Sequence, residues 1–368
     1  MKSVLGKVFL LYLFFLSISY RSFSGELPLY LAYSYDYPAS MVIPKGRLET
    51  DLFYGRVDDT IDMFNIKEQE LSSVSPEFRA NSLGNYEHLK LNFNYGFTYQ
   101  SMLSTGIVSR SIDYGDGSLD VYSYHFSIRK SFNSLLSVDF GLKGDIAKDR
   151  TFSDVNEINY YLHKFRPDIS IEVTPAYIWF VKETSKYKIK YGVPKEQNPN
   201  FKLKDLKDSV KFIRFTLGKA FDFVYPNVFF EFGKTNINTK IDTNLKNLVP
   251  EAYRNKIPKF PIDLSRNENY WKTGFSIFLR TPFKTLTSLE YEYIRIIRNK
   301  NLNYLNYNHV LKAKVDYFLK RNIILSIGGE YLHRQFNGVI PFMYNKYSQT
   351  TFDHKYGWAE VGIIFLWR

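Results

Sequence analysis

The chain has 368 residues, with 49 Lys and Arg against 37 Asp and Glu and a formal net charge of +12. It has no cysteine, which excludes disulfide frameworks, thiolate metal centres and a cysteine-linked lipid anchor. Aromatic residues make up 18% of it, yet the mean hydropathy is only −0.29, so the apolar side chains must be confined to one face of their elements.

Residues 1–25 open with Lys2 and Lys7, run through an apolar stretch from Val8 to Ile18, and close on small residues around Ser22–Gly25. This predicts a secretory signal peptide, cleaved near Gly25 or Glu26. An anchoring helix would need roughly 20 apolar residues. Cleavage removes Lys2, Lys7 and Arg21 and no acid, so the charge falls to 12 − 3 = +9. Residues 26–45 read as an N-terminal segment, periplasmic or inserted into a lumen. Residues 46–368 read as one transmembrane domain, because period-two alternation recurs through them in segments about ten residues long.

The clearest segment is "YEHLKLNFNYGFT" (86–98), with Leu89, Leu91, Phe93, Tyr95 and Phe97 on one face and Lys90, Asn92 and Asn94 on the other. The same split sets Tyr122, Tyr124, Phe126 and Ile128 against Asp120, Ser123, His125, Ser127 and Arg129, and Leu136, Val138, Phe140 and Leu142 against Asp139 and Lys143. Further on, Ile213, Phe215 and Leu217 oppose Arg214 and Thr216. Trp271, Phe275 and Ile277 oppose Lys272, Leu289, Tyr291 and Tyr293 oppose Glu290 and Glu292, and Leu311, Ala313 and Val315 oppose Lys312 and Lys314. Between 167 and 192 the pattern is irregular, and Pro175 marks an edge or a bend.

Short connections near Tyr99–Ser101, Lys130–Ser134, Ala220–Pro226, Thr281–Thr285 and Lys320–Asn322 alternate with long polar stretches at 57–84, 148–166, 194–208, 235–268 and 335–353. That asymmetry predicts an all-β fold: a single antiparallel up-and-down transmembrane β-barrel with short periplasmic turns and long extracellular loops. The segments number about fourteen, with even counts from twelve to sixteen open. A soluble β-sandwich shares the alternation but not the parity of connections.

The last segment, "WAEVGIIFLWR" (358–368), alternates and carries Phe365 and Trp367 at its end. It resembles the C-terminal strand of Gram-negative outer-membrane β-barrel proteins, offset by one residue because Arg368 follows the aromatic. The resemblance implies a membrane-interface role for Phe365 and Trp367 and recognition of this strand by the barrel assembly machinery. "IPKGRLETDLFYG" (43–55) resembles the opening of the outer-membrane transporters for fatty acids and aromatic hydrocarbons. That resemblance implies fourteen strands, passage of hydrophobic small molecules and an N-terminal plug, for which residues 26–42 are short.

No pattern of catalytic or metal-ligating residues stands out, so neither an enzyme nor a cofactor is expected. His125 shares its strand with Ser123 and Ser127, which makes an outer-membrane hydrolase imaginable. Residues i and i+2 on a strand lie about 7 Å apart, however, beyond hydrogen-bond reach. "DYGDGSLD" (113–120) departs from a calcium loop's spacing and reads as a hairpin turn. The lysine-rich stretch 186–211 suits solvated surface or lipopolysaccharide phosphates rather than nucleic acid.

The inward faces would place Glu49, Asp51 and Glu360 near the seam between first and last strands. Lys90, Asn92, Asn94, His125, Arg129, Asp139, Lys143, Lys272, Glu290, Glu292, Lys312 and Lys314 would line the rest of a pore. Glu290 and Glu292 can pair across strands with Lys312 and Lys314. A wide barrel leaves room for water, and a lining of both signs disfavours strong ion selectivity. The expected function is passive diffusion of small solutes, hydrophobic ones among them. A closed barrel binding a partner through its loops is the alternative.

Overall fold

The structure, a computed structural model, describes residues 42–57, 85–113, 118–132, 135–152, 168–219, 221, 223–255, 259–263, 265–281, 283–297, 307–332 and 356–367. The residues expected as signal peptide, most of the 26–45 segment and the stretches 58–84, 153–167 and 335–353 lie outside them, as do residues 114–117 of the 113–120 turn.

The strands are β1 (Leu48–Val57), β2 (Asn85–Thr98), β3 (Ser101–Asp113), β4 (Ser118–Ser131), β5 (Leu136–Ala147), β6 (Arg150–Phe152), β7 (Ile169–Val173), β8 (Tyr177–Glu183) and β9 (Lys188–Pro194). They continue as β10 (Phe201–Gly218), β11 (Val224–Thr243), β12 (Ile262–Asp263), β13 (Arg266–Thr281), β14 (Thr285–Ile297), β15 (Tyr307–Lys320), β16 (Ile323–Leu332) and β17 (Tyr356–Trp367). Twelve of them close a ring in the order β1-β2-β3-β4-β5-β10-β11-β13-β14-β15-β16-β17, each antiparallel to its neighbours. The last strand meets the first from Leu48 opposite Trp367 to Arg56 opposite Ala359. Closure leaves no unpaired edge, which a sheet in hydrocarbon requires.

The count is therefore twelve, not fourteen. The two surplus segments, 167–174 and 176–192, are not staves of the barrel. They form a separate three-stranded sheet, β7-β8-β9. Pro175 sits in its first turn, where Thr174 N–H donates to Tyr177 O and Tyr177 N–H donates back to Thr174 Oγ1. Thr184 and Tyr187 repeat the same bonds in the second turn. Two of the stretches read as loops are also corrected. All of 201–208 belongs to β10, and 235–243 and 266–268 belong to β11 and β13. Polar residues hid these strands because the hairpin continues past the apolar band, where both faces are free to be polar.

The faces separate as the alternation demands. Leu89, Phe93, Tyr95 and Phe97 of β2 are exposed on the outer wall, while His88, Asn92 and Asn94 are buried inside. On the outer wall of β11, β13, β14 and β15 aromatic rings form a girdle. Phe230 stacks on Trp271 at 5.9 Å, Trp271 meets Tyr293 at 5.3 Å, and Tyr293 meets His309 at 5.2 Å. Tyr291 Oη is 2.7 Å from His309 Nδ1. Amphipathic rings of this kind sit where hydrocarbon gives way to headgroups.

Candidate functional site

The barrel interior is built in three layers. At the end bearing the short turns, Met102, Tyr225, Phe278, Leu286, Phe318, Ile324 and Ile364 join Phe53 in one buried apolar cluster. Ile43, from the segment that precedes β1, is buried in the same cluster. Its path runs against Gly96, where a Cβ would lie 2.3 Å from the Ile43 carbonyl oxygen and 2.4 Å from that of Pro44. This cluster forms an apolar floor inside that end of the barrel.

At the opposite end lies a second apolar cluster. Inward residues from around the wall supply it: Val121, Ala147, Leu206, Ile241, Ile294, Val310 and Leu332. The small sheet adds Ile169, Ile171, Ile178, Phe180 and Val193, which fall on one face of β7, β8 and β9. The β11–β13 connection adds Leu245, Val249 and Ile262, with Phe260 edge-on to Phe180 at 5.9 Å. The other face of the sheet is polar, with Lys190 paired to Glu172 and lying 5.0 Å from the Trp179 ring. The sheet is thus an amphipathic cap, apolar face down on the mouth. Its period-two signal was present in "DISIEVTPAYIWFVKETSKYKIKYGV", and the repeated Thr-x-x-Tyr turns could have marked the hairpins. What periodicity could not show is that its apolar face meets protein instead of lipid.

Between floor and cap runs a belt of charge. Glu231, fully buried, accepts from Arg214 Nε at 2.6 Å, Tyr270 Oη at 2.7 Å and Lys143 Nζ at 3.3 Å, with Lys272 at 3.7 Å. Lys272 continues to Glu292 at 3.2 Å. Lys312 bridges Glu292 at 3.3 Å and Glu290 at 3.2 Å. The network thus runs over six adjacent strands, from two cations on β5 and β10 to Glu231 on β11, and from there alternates in sign through β13 and β14 to β15. Elsewhere on the wall Arg129 Nε donates to Asp139 at 2.7 Å, from a directly opposite position. Glu360 meets His88 at 3.3 Å and Lys90 at 3.5 Å. Asn94 Nδ2 donates to Glu49 at 2.8 Å, and Ser104 donates to Asn94 at 2.5 Å. Asp51 and Asn92 stand opposite each other and are both buried.

Apart from Asp120, the polar residues read as inward from the sequence stand on the inner wall. The details differ in three places. Lys314 pairs with Asp316 of its own strand at 3.0 Å rather than with Glu290 or Glu292, because register sets it opposite Ser288. Asp120 does not share the face of His125; it accepts from Ser111 and pairs with Lys148 at 3.8 Å. Ser123 donates to Asp145, which stands directly opposite it on β5. Sequence reading also missed Glu231, although it lies within a stretch read as strand, and missed Tyr270 and Phe53 because aromatic residues were assigned outward. Trp367 stands on the outer wall at the seam, with its indole Nε1 donating to Thr50 at 3.1 Å and Phe365 beside it at 6.0 Å.

A closed antiparallel cylinder, apolar and aromatic outside and charged within, defines a transmembrane β-barrel of the outer-membrane type. Among solved structures the chain is similar to a NanC porin (8% identity, 86% of this chain and 98% of that one, TM-score 0.41). It is also similar to the translocator domain of the autotransporter NalP from Neisseria meningitidis (6%, 87% of each chain, TM-score 0.45) and to the CymD monoaromatic hydrocarbon channel (9%, 88% of each chain, TM-score 0.40). No protein-family model matches the chain. No curated protein matches it.

Proposed function

We propose that the protein is an outer-membrane channel for passive diffusion of small solutes, held shut here by its cap and floor. The observation that carries this reading is the belt from Lys143 and Arg214 through Glu231, Lys272, Glu292 and Lys312 to Glu290. A wall lined with alternating charge is a path for water and polar solutes once the ends open, and its mixed signs give little preference for either ion. Such a lining favours polar cargo over hydrophobic cargo. No catalytic step is assigned, since Ser123 is engaged by Asp145. The C-terminal strand β17 is the handle for the assembly machinery.

The test is single-channel recording in planar bilayers, on the whole chain and on a variant in which residues 169–194 are replaced by a Gly-Ser linker. The whole chain should show rare openings and the variant sustained, weakly selective conductance. A variant that folds, by heat-modifiable migration on a detergent gel, yet carries no current overturns the channel reading.

The second reading, a closed barrel that presents its loops to a partner, is favoured by one observation: the belt charges pair with one another and both ends are covered. Charges satisfied in this way serve as well to seal a small barrel as to conduct. The silent but folded variant would support it.

A further inference from the structure

The outward face of the β10–β11 hairpin changes character in a single step. Going away from the short-turn end it carries Leu217, Phe215 and Ile213 on β10, and Val228, Phe230 and Phe232 on β11. The next outward positions are Lys211 and Lys234, and register sets these two lysines directly opposite each other. Lys207 follows on β10 two outward positions further, and Lys204 stands opposite Lys240 higher still.

Like charges facing across an antiparallel pair destabilise it unless something neutralises them. The upper pair has its own counter-ions: Lys204 reaches Asp242 at 2.6 Å, and Lys240 reaches Asp205 at 2.7 Å. Asp205 is brought there by a bulge in β10, where its backbone adopts φ 58°. The lower set has none. The register neighbours of Lys211 and Lys234 on the flanking strands are Leu142 and Asn269, and those of Lys207 are Ile146 and Asn238. Among the described residues, Lys207, Lys211 and Lys234 make no ion pair. All three are exposed.

Their height is fixed by the girdle. Phe232 stands opposite Trp271, and the next outward pair along the same two strands is Lys234 with Asn269. The unneutralised ammonium groups thus lie one step beyond the aromatic rings, at headgroup level, on the side away from the short turns. They stand on the outer wall of the hairpin and not on its lumen face. Ammonium groups on directly opposed residues, whose Cβ atoms are about 5 Å apart, can bracket one phosphate oxyanion between them.

We propose that Lys207, Lys211 and Lys234 form a binding site for the phosphate of an outer-leaflet glycolipid, the phosphorylated sugar headgroup of lipopolysaccharide. The acyl chains of that lipid lie along Ile213, Phe215, Phe230 and Phe232, and its anionic head meets the lysines. The lipid supplies the counter-charge that the upper pair draws from Asp205 and Asp242.

The test measures lipopolysaccharide bound to the detergent-purified whole chain, by native mass spectrometry and by titration. Variants are K211A/K234A, K211R/K234R, K207A and the short-turn control K219A/K320A, each checked for folding by heat-modifiable migration. K211A/K234A should lose ten-fold or more in affinity and K207A several-fold, while the arginine variant and the control retain binding. Lipid stripped of its phosphates should bind the parent chain as weakly as lipid with phosphates binds K211A/K234A. Inorganic phosphate should compete only at concentrations far above those of the lipid. Unchanged affinity in K211A/K234A, equal binding of the dephosphorylated lipid, or equally effective competition by inorganic phosphate would overturn the proposal.

Discussion

Leu91 and Asn92 are adjacent in the chain and live in different solvents. Leu91 belongs to the outer wall, and placing arginine there should cost about 2–4 kcal/mol, as for a cation near the bilayer midplane; equilibrium unfolding from lipid vesicles measures it. From sequence alone Asn92→Arg should be tolerated, because a lumen face is expected to be wet. The structure reverses that expectation. Asn92 is fully buried, with its Oδ1 so near Gly106 that a Cβ there would lie 2.3 Å away. Asn92→Arg should therefore be destabilising as well, through overpacking rather than lipid exposure. Glu231 concentrates a different risk. Glu231→Gln leaves Arg214, Lys143 and Lys272 with one shared counter-charge fewer in a buried layer, and breaking such a pair costs about 3–5 kcal/mol. The same unfolding measurement should show that loss, with little change for Lys188→Gln at an exposed pair in the cap. Parity made the inward residues legible. The partner of each was not, because pairing depends on register, and two residues of shift decide whether Lys314 meets Glu290 or Ser288.

Strands that touch lipid on one face and a polar interior on the other announce themselves by alternation, and β1 to β5, β13 to β17 and the membrane part of β10 and β11 were readable in that way. Two kinds of element escaped. The outer halves of β10 and β11 lose the outward apolar residues while the ladder continues, so pattern fades where pairing does not. The cap strands alternate only irregularly, and they bury their apolar face against inward side chains. A one-dimensional pattern carries no record of which neighbour covers a face. Close approach at the seam supplies an element-scale test. A Cβ at Gly362 would lie 2.3 Å from the Phe53 ring, so Gly362→Leu should displace that ring from the floor and loosen the β1–β17 pairing. Overpacking of this sort costs about 1–3 kcal/mol, and the temperature at which the compact form disappears from a detergent gel should fall.

For the whole molecule, twelve staves instead of fourteen change the meaning of the lumen. A narrower cylinder leaves less room inside, and the apolar floor and cap occupy its two ends with the charged belt between them. The charged lining that suggests an open pore in the sequence becomes, in three dimensions, a set of mutual partners beneath a lid. Conductance of the cap-deleted chain decides between a shut channel and a sealed barrel.

The hydrogen bond from Trp367 to Thr50 joins positions 317 residues apart. No segment-by-segment order of assembly can therefore finish the cylinder early; its circumference is completed only when β17, the last of the twelve ring strands in chain order, meets β1. Until β17 arrives, β1 and β16 each present a bare ladder of amides and carbonyls to whatever is nearest. A chain shortened by those twelve residues would keep every charge of the belt and most of the girdle, and would still be an adhesive half-pipe, ready to fuse with its own kind.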